Sequence, residues 1–304
     1  MTGAHVDGDD GNDGRGGRDG RDGNDGHDGN DGHNGNDRDN GHNGRDGGRR
    51  LRVEMTATLA RETAKPYRGV GLFAWRFAHG KVSRDPAYIG ILERGLIPDS
   101  VRLLDLGCGQ GLMAAWLLIA RARYEAGHWP AQWPAPPRVG SVAGIELMPS
   151  DVARARAALA ALGPLGANAG FVAGDLRAAD FGKADAAIIL DVLHYMDRAA
   201  QDAVLLRVRD ALAPSGTLLI RVGDAAGGWR FRCSRWVDWT VTFARGHRLS
   251  ALHCRPLSEW RAALAALGFA VDAIPMSAGT PFANVLLVAR LGQRTEPASG
   301  ATAQ

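Results

Sequence analysis

The sequence predicts an α/β fold: a doubly wound, seven-stranded and mostly parallel sheet with helices on both faces, preceded by a disordered tail. Three observations lead to this prediction. Residues 1–50 consist almost wholly of Gly, Asp, Asn, Arg and His, which leaves nearly nothing apolar to bury. From Val101 onward, apolar runs of strand length alternate with glycine turns and helical periodicity, as in a parallel sheet covered by helices. A glycine-rich turn, Gly107–Gly111, lies between the first such run and the first helical segment.

The predicted N-terminal tail, residues 1–50, carries 12 Asp and 7 Arg, whereas the whole chain has a formal net charge of +3. The rest of the chain is therefore basic, but without the Lys/Arg stripe of a nucleic-acid-binding protein, so nucleic acid is not an expected partner. The Asp-Gly units resemble calcium-binding repeats but lack the apolar residue per repeat that builds a β-roll. Met55 is an alternative start of the native chain, a hypothesis that native peptides from residues 1–50 would refute.

The cysteines and the apolar runs exclude several classes of protein. Cys108, Cys233 and Cys254 are too widely spaced for a disulfide framework or a paired zinc motif, so no metal site is predicted. The N-terminus lacks the apolar core of a signal peptide, and no run approaches the ~20 apolar residues that cross a bilayer. We therefore expect a cytoplasmic protein without a membrane span.

Residues 51–98 are predicted to form an N-terminal helical cap. Apolar residues recur at helical spacing in Leu72–Phe77 and again in Tyr88–Leu92. The Gly80–Pro86 segment is predicted to separate two short helices, because proline disfavours helical backbone in the residue before it. The cap should cover the main domain.

Residues 99–292 are predicted to hold the sheet, and residues 293–304 to form a disordered C-terminal tail. The predicted strands are Val101–Leu106, Val142–Glu146, Ala169–Ala173, Ala186–Leu190, Gly216–Val222, Ala270–Pro275 and Val285–Ala289. The predicted helices are Leu112–Arg123, Pro149–Leu162, Arg198–Ala211 and Ser258–Leu267. In a sheet of this kind, ligands bind at the carboxyl ends of the strands.

The segment 224–256 interrupts this rhythm, with Trp and Phe interleaved with Arg. Arginine binds carboxylates through two parallel hydrogen bonds, and tryptophan supplies apolar area, so the composition suits a lid over an anionic or aromatic small molecule. An amphipathic helix that packs its aromatic face on the sheet explains the composition equally well. Contact with RNA or a membrane surface is a third, weaker interpretation.

The motif Asp105-x-Gly107-x-Gly109-x-Gly111 follows a strand and opens a helix. Glycines there permit a tight turn and close approach of a ligand, and the amides at the helix start favour a carboxylate. The spacing differs from the Gly-x-Gly-x-x-Gly of nicotinamide-binding proteins. In motif and context, the sequence over roughly 101–290 resembles the class I S-adenosylmethionine-dependent methyltransferases, in particular bacterial small-molecule enzymes.

This resemblance implies S-adenosylmethionine as the cofactor. By resemblance, the glycine loop surrounds its methionine part, Glu146 accepts the ribose hydroxyls, and Asp175 accepts the adenine amine. From the residues alone, Glu146 could instead be a solvated helix cap, and Asp175 could cap the turn that follows its strand. The predicted cofactor-binding residues are Asp105, Gly107, Cys108, Gly109, Gly111, Glu146, Leu147, Asp175, Leu176 and Asp191.

His194 follows the fourth predicted strand and is the candidate catalytic residue. Imidazole titrates near neutrality and can take a proton from the attacking nucleophile. Simple packing is the alternative role, because proximity and desolvation suffice for many methyl transfers. The sequence predicts methyl transfer to a small-molecule acceptor, most readily at oxygen. The competing interpretations are a non-catalytic methyltransferase-like domain that binds a cofactor or partner, and a nicotinamide-binding oxidoreductase.

Overall fold

A computed structural model describes residues 39–223, 253–276 and 284–292. The chain divides into two units, Met1–Asp46 and Gly47–Gln304, and the sheet belongs to the second. None of the described helices combines the length and apolar character needed to cross a bilayer. Across the same ranges, no group of three or more His, Cys, Asp or Glu side chains is placed to bind a metal ion.

The helical cap consists of three helices and a single 3₁₀ turn. They are α1 (Asp39–Ala64), the 3₁₀ turn Lys65–Arg68, α2 (Leu72–Arg84) and α3 (Pro86–Glu93). The predicted break at Gly80–Pro86 shrinks to one residue, because α2 tolerates Gly80 and continues to Arg84. Asp85 has the extended backbone expected before proline, and its carboxylate accepts a hydrogen bond from the Ala87 amide at 3.0 Å, which caps α3.

Helix α1 begins inside the segment predicted to be disordered. It starts at Asp39, so residues 39–50 are helical, and the predicted boundary at residue 50 differs from that of the structure. The prediction rested on the lack of apolar residues to bury. A helix already formed by the following residues can extend without such burial, since each added residue gains one backbone hydrogen bond. Residues 1–38 and 293–304, both predicted tails, lie outside the described residues.

The central sheet follows the predicted order of elements. Its strands are β1 (Val101–Leu106), β2 (Val139–Glu146), β3 (Ala169–Ala173), β4 (Ala184–Leu190), β5 (Leu212–Gly223), β6 (Phe269–Pro275) and β7 (Asn284–Leu291). The helices between them are α4 (Leu112–Glu125), α5 (Pro149–Ala160), α6 (Arg198–Ala211) and α7 (Leu257–Ala266). Each predicted strand is present, although β2 and β5 begin three and four residues earlier than predicted.

Within the described residues the strand order is β3-β2-β1-β4-β5-β7-β6. The first five strands in this order pair in parallel, and β7 lies antiparallel between β5 and β6. The order changes direction between β1 and β4, so the carboxyl ends of these two strands border the crevice where open α/β sheets bind ligands. The predicted doubly wound, mostly parallel sheet is confirmed.

Two apolar layers enclose the sheet because successive strand residues face opposite sides. On β1, Leu103 packs with the cap helices, α4 and α5, whereas Leu104 packs with α6 and α7. Trp116 of α4 is fully buried in the first layer, and its indole N–H donates to the Tyr88 carbonyl at 3.1 Å. This bond joins the cap to the main domain, so cap residues have fixed positions beside the strand ends.

Candidate methyl-donor site

The loop after β1 has the backbone shape that its glycines predict. Gly107, Gly109 and Gly111 have φ values of 73°, 53° and 73°, in the left-handed region that disfavours side chains. A Cβ on Gly107 would stand 2.2 Å from a methyl of Val192, so that position excludes any side chain. At Gly109, by contrast, no described atom lies within 4 Å of such a Cβ. Protein atoms therefore fill the space beside Gly107, whereas the space beside Gly109 can accept a ligand.

Asp105, near the end of β1, is buried without a protein partner for one of its oxygens. The residue is 4% exposed, and within the described ranges its Oδ2 atom has no hydrogen-bond partner. Burial and the negative charge of Glu146 raise the pKa of Asp105 to about 7. An unsatisfied buried carboxylate oxygen costs stability, so this position favours a ligand that carries a donor or a positive charge.

Glu146, the last residue of β2, contacts the same loop. Its Oε2 accepts from the Gly109 amide and its Oε1 from the Met148 amide, both at 3.0 Å. Each carboxylate oxygen has a further lone pair, so Glu146 can still accept two hydroxyl groups. Leu147, the next residue, is 60% exposed and extends an apolar surface from the strand end.

Cys108 lies within the loop but is not a chemical participant. Its side chain is buried, and its Sγ atom lies 2.9 Å from where a Cβ on Gly144 would stand. Burial, followed by the charges of Asp105 and Glu146, raises the pKa of the thiol well above its usual range. The thiol therefore stays protonated, and Cys108 contributes its backbone and its volume to the loop.

The predicted adenine-edge residues lie beside Glu146, because the Gly174 amide donates to the Glu146 carbonyl at 2.9 Å. Asp175 is engaged by protein: both its oxygens accept from Arg177, at distances between 2.5 and 3.0 Å. Hydrogen bonding from Arg177 lowers the pKa of Asp175. Leu176 is buried, and its carbonyl accepts from Arg207 at 2.7 Å. Asp175 thus has a structural role whether or not it also binds adenine.

Asp191 follows β4 and has a left-handed backbone, with φ of 59°. Its Oδ1 accepts from Arg221 Nε at 2.7 Å, its Oδ2 accepts from Arg221 Nη2, and Lys81 Nζ lies 3.3 Å from Oδ2. Burial alone would raise the pKa of Asp191, but the charges of Arg221 and Lys81 outweigh it and hold the pKa well below its usual range. The next residue, Val192, is the one that closes Gly107.

Arg221, Asp85 and Lys81, which surround Asp191, were not found from the sequence, whereas Asp191 itself was predicted as a cofactor-binding residue. Arg221 is fully buried on β5 and also pairs with Asp85, while Lys81 Nζ lies 2.9 Å from the second oxygen of Asp85. We call Lys81, Asp85, Asp191 and Arg221 the charge network. It contains two cations and two anions, and it joins the α2–α3 junction of the cap to the ends of β4 and β5. The one sequence signal was a charged residue inside the apolar run of β5.

His194 lies in a short 3₁₀ turn, Leu193–Tyr195, whose backbone is held on several sides. Gln201 Nε2 donates to the carbonyls of Leu193 at 3.0 Å and His253 at 2.7 Å. The His253 amide in turn donates to the His194 carbonyl at 2.9 Å. The imidazole Nε2 is shielded from solvent, and the imidazole charge is one of the causes that lower the pKa of Asp191.

The structure describes only the last residues of the predicted lid. Within 253–256, Arg255 is buried, donates to Gln201 Oε1 at 2.6 Å and pairs with Asp202 at 2.8 Å. Arg255 therefore anchors this end of the segment to α6. The aromatic and arginine residues that suggested a lid lie in 224–252, outside the described residues.

A groove of about 700 Å³ lies elsewhere, between the end of α1, the 3₁₀ turn after it and the last turns of α4 and α5. It shares no residue with the loop or the strand ends. The carboxyl edge of β1, β2 and β4 is thus the site that the predicted residues share, and the groove is a separate surface feature.

Residues 74–274 match the family model described as a methyltransferase domain, so the chain belongs to that family. They form a class I, S-adenosylmethionine-dependent methyltransferase domain, and S-adenosylmethionine is its cofactor. The residues present fit this group, because Gly109 is open and the Asp105 and Glu146 carboxylates suit a cationic ligand with a ribose diol.

Solved structures share the fold. An O-methyltransferase family protein from Burkholderia thailandensis has 21% identity and a TM-score of 0.50, over 72% of this chain and 63% of that one. An O-methyltransferase family 2 protein from Planctomyces limnophilus, in complex with apigenin, has 19% identity and a TM-score of 0.50, over 71% and 59%. The chain thus spans less than two thirds of these two proteins. Comparison with curated protein sequences gives no match.

Proposed function

We propose that this protein transfers the methyl group of S-adenosylmethionine to an oxygen of a small-molecule acceptor. The observation that carries the donor half of the proposal is the pair Asp105 and Glu146, two carboxylates at the open glycine loop with no cationic partner in the described part of the chain. When bound, S-adenosylmethionine supplies an electrophilic methyl group on a positively charged sulfur.

The chain's own residues bind and orient the donor. The loop from Gly107 to Gly111 and the start of α4 hold its amino-acid part, Asp105 provides a buried negative charge, and Glu146 accepts the ribose hydroxyls. Asp191 fixes the wall opposite the loop through Val192. Orientation of donor and acceptor and exclusion of water then supply most of the acceleration.

His194 is proposed as the base that takes the proton from the acceptor hydroxyl. Its turn is held rigidly by Gln201, and Asp191 provides a carboxylate nearby that favours the imidazolium formed. The oxygen acceptor is further supported by two proteins of this fold that are described as O-methyltransferases, one of them in complex with apigenin. A hydroxyl, unlike an amine, needs such a base because it is a weak nucleophile while protonated.

Binding of S-adenosylhomocysteine to the full-length protein, measured by isothermal titration, tests the donor site. The wild type should bind, and Glu146→Ala should weaken binding at least about tenfold, since hydrogen bonds to a charged group are lost. Glu54→Ala, which removes an exposed glutamate of α1, is the matched control and should bind as the wild type does. Binding of NADH in place of S-adenosylhomocysteine would overturn the proposal.

Acceptor chemistry is tested by mass spectrometry of a panel of phenols, carboxylic acids and amines incubated with the protein and S-adenosylmethionine. We expect methyl ethers or esters. His194→Gln should then lower kcat at neutral pH and leave the dissociation constant of S-adenosylhomocysteine unchanged. Methylation confined to the amines would reject the oxygen acceptor while leaving the donor site in place.

A further inference from the structure

We propose that Tyr67, in the 3₁₀ turn that precedes α2, is a positioning residue that holds the donor loop in its binding conformation before the cofactor arrives. The inference rests on the proposed donor site but concerns a residue outside the range 74–274 that matches the family model. Tyr67 is fully buried, and its hydroxyl donates to the Gln110 carbonyl at 2.7 Å across 43 residues of sequence.

The hydrogen bond from Tyr67 is made to the most flexible part of the loop, the peptide at Gln110. Gln110 stands between two glycines with left-handed backbone, and glycine has the largest conformational freedom of any residue. A loop with alternating glycines therefore loses much entropy when it becomes ordered. A hydrogen bond from a rigid aromatic side chain to the central carbonyl restricts the peptide units on both sides of Gln110.

The start of the loop is held by the Gly107 and Cys108 amides, which donate to the Ile145 carbonyl at 2.8 and 3.2 Å. Beyond Cys108, two further side-chain bonds attach the loop within the described residues, and both differ from that of Tyr67. Glu146 accepts from the Gly109 amide, but Glu146 is also the residue proposed to bind the ribose, so its contacts change when the cofactor binds. The Gln110 side chain donates to Asp151 at 3.3 Å, a longer bond that anchors the side chain and leaves the carbonyl to Tyr67. The Tyr67 hydroxyl thus provides a backbone attachment that does not involve a ligand-binding group.

Tyr67 is suited to donate at every physiological pH. Burial, and then the charges of Cys108 and Asp105, raise its pKa well above the usual range, so the hydroxyl keeps its proton. The charge of Asp105, the buried carboxylate of the donor site, is thus among the groups that act on the Tyr67 hydroxyl. The cap therefore reaches the donor loop directly, and the 3₁₀ turn is part of the site even though no sequence motif marks it.

If this is correct, removing the hydroxyl lowers the fraction of free protein with a binding-competent loop, and the apparent affinity falls by that fraction. Tyr67→Phe keeps the ring and its packing. We expect its dissociation constant for S-adenosylhomocysteine, measured by isothermal titration, to rise about threefold to tenfold. Amide hydrogen exchange in residues 107–111 of the free variant should be faster than in the wild type, with the rest of the sheet unchanged.

Tyr124→Phe is the matched control, because Tyr124 is 41% exposed at the end of α4, and its affinity should equal that of the wild type. A Tyr67→Phe protein with a lower Tm but an unchanged dissociation constant would show a merely structural role and overturn the inference. Failure of the wild type to bind would overturn both this inference and the proposed function.

If Tyr67→Phe does not fold, amide hydrogen exchange of the wild-type protein alone tests the inference. A loop that is ordered in advance has slow amide exchange at residues 107–111 without ligand, comparable to the first turn of α4, and S-adenosylhomocysteine slows it less than about threefold. Exchange as fast as in an unstructured peptide, followed by strong protection on binding, would contradict the proposal.

Discussion

Two pairs of acidic residues lie at the same edge of the sheet and have opposite electrostatic settings. Asp85 and Asp191 are neutralised by Lys81 and Arg221, whereas Asp105 and the neighbouring Glu146 have no cationic partner in the described ranges. The pKa values differ accordingly, since that of Asp191 is lowered and that of Asp105 is raised. We infer that the carboxylates neutralised by the protein hold the fold together and that the unpaired ones serve to bind a ligand.

The charge network and the unpaired carboxylates should affect stability and ligand binding differently. A charge network with satisfied partners resists disruption, since removing one member leaves the others buried and unpaired. An unpaired buried carboxylate has the reverse effect, because it destabilises the free protein and is relieved when a positively charged ligand binds. Variants at Asp85 and Asp191 should therefore change stability, and variants at Asp105 and Glu146 should change cofactor binding and its pH dependence.

The largest effect is expected from Arg221→Gln. The substitution leaves Asp85 and Asp191 close together without their shared cation, in a place where Arg221 is fully buried. We expect the free energy of unfolding to fall by about 3–5 kcal/mol, as measured by denaturant unfolding with an intrinsic tryptophan signal.

The control for this prediction is Arg102→Gln, which removes another bidentate arginine pair, with Asp185, at the opposite end of the strands. That pair is largely exposed, so no measurable loss of stability is expected. Equal stability of Arg221→Gln and the wild type would mean that the charge network does not stabilise the fold.

The next effect is a pH dependence produced by Asp105. Its pKa is raised in the folded protein to about 7, against roughly 4 in the unfolded chain, so between these values the folded state holds a proton that the unfolded state has lost. Stability from this group is therefore complete below pH ~4 and is lost as the pH rises towards 7. The Asp85 and Asp191 carboxyls, with lowered pKa values, lose their contribution in the other direction, as the pH falls below ~4.

Asp105→Asn removes the loss of stability between about pH 4 and 7 that Asp105 causes, and leaves the loss at low pH that Asp85 and Asp191 cause. Denaturant unfolding at pH 5 and pH 8 should show the variant gaining stability relative to the wild type as the pH rises, by up to a few kcal/mol. Parallel stability curves for the two proteins across this range would show that Asp105 is ionised in the folded state at pH 5.

The glycine loop and the sheet were predictable from the sequence because each is encoded locally. Alternating glycines indicate a left-handed backbone conformation in the loop, and apolar periodicity indicates which face of a strand is buried. Glu146 was found for the same reason, as an acidic residue at a strand end. Its Oε2 accepts a hydrogen bond from the Gly109 amide at 3.0 Å, and its contact with the ribose stays a prediction.

Arg221 and Tyr67 were missed because their partners are distant in sequence. Arg221 meets Asp85 across 136 residues and Tyr67 meets Gln110 across 43, so only the folded topology brings them together. The helix over residues 39–50 was missed because burial was used as the criterion for order. The role of His194 depends on the acceptor, which no local pattern specifies.

The smallest effect is expected at Asp175, whose carboxylate is paired with an arginine but lies at the predicted adenine position. Asp175 is one third exposed, and Arg177 already occupies both its oxygens. If Asp175 also accepts the adenine amine, as predicted, Asp175→Ala should raise the dissociation constant of S-adenosylhomocysteine only about threefold, because the bond to adenine competes with an arginine that is always present.

Arg177→Ala sharpens this prediction, since it frees Asp175 for the adenine and should leave the affinity unchanged or slightly increase it. Asp180→Ala is the matched control: Asp180, like Asp175, accepts a backbone amide two residues later in an exposed turn, but it lies outside the predicted site. Isothermal titration of the three variants compares them directly. If Asp175→Ala and Asp180→Ala both bind as the wild type does, Asp175 belongs with the neutralised carboxylates and its role is to hold the turn after β3.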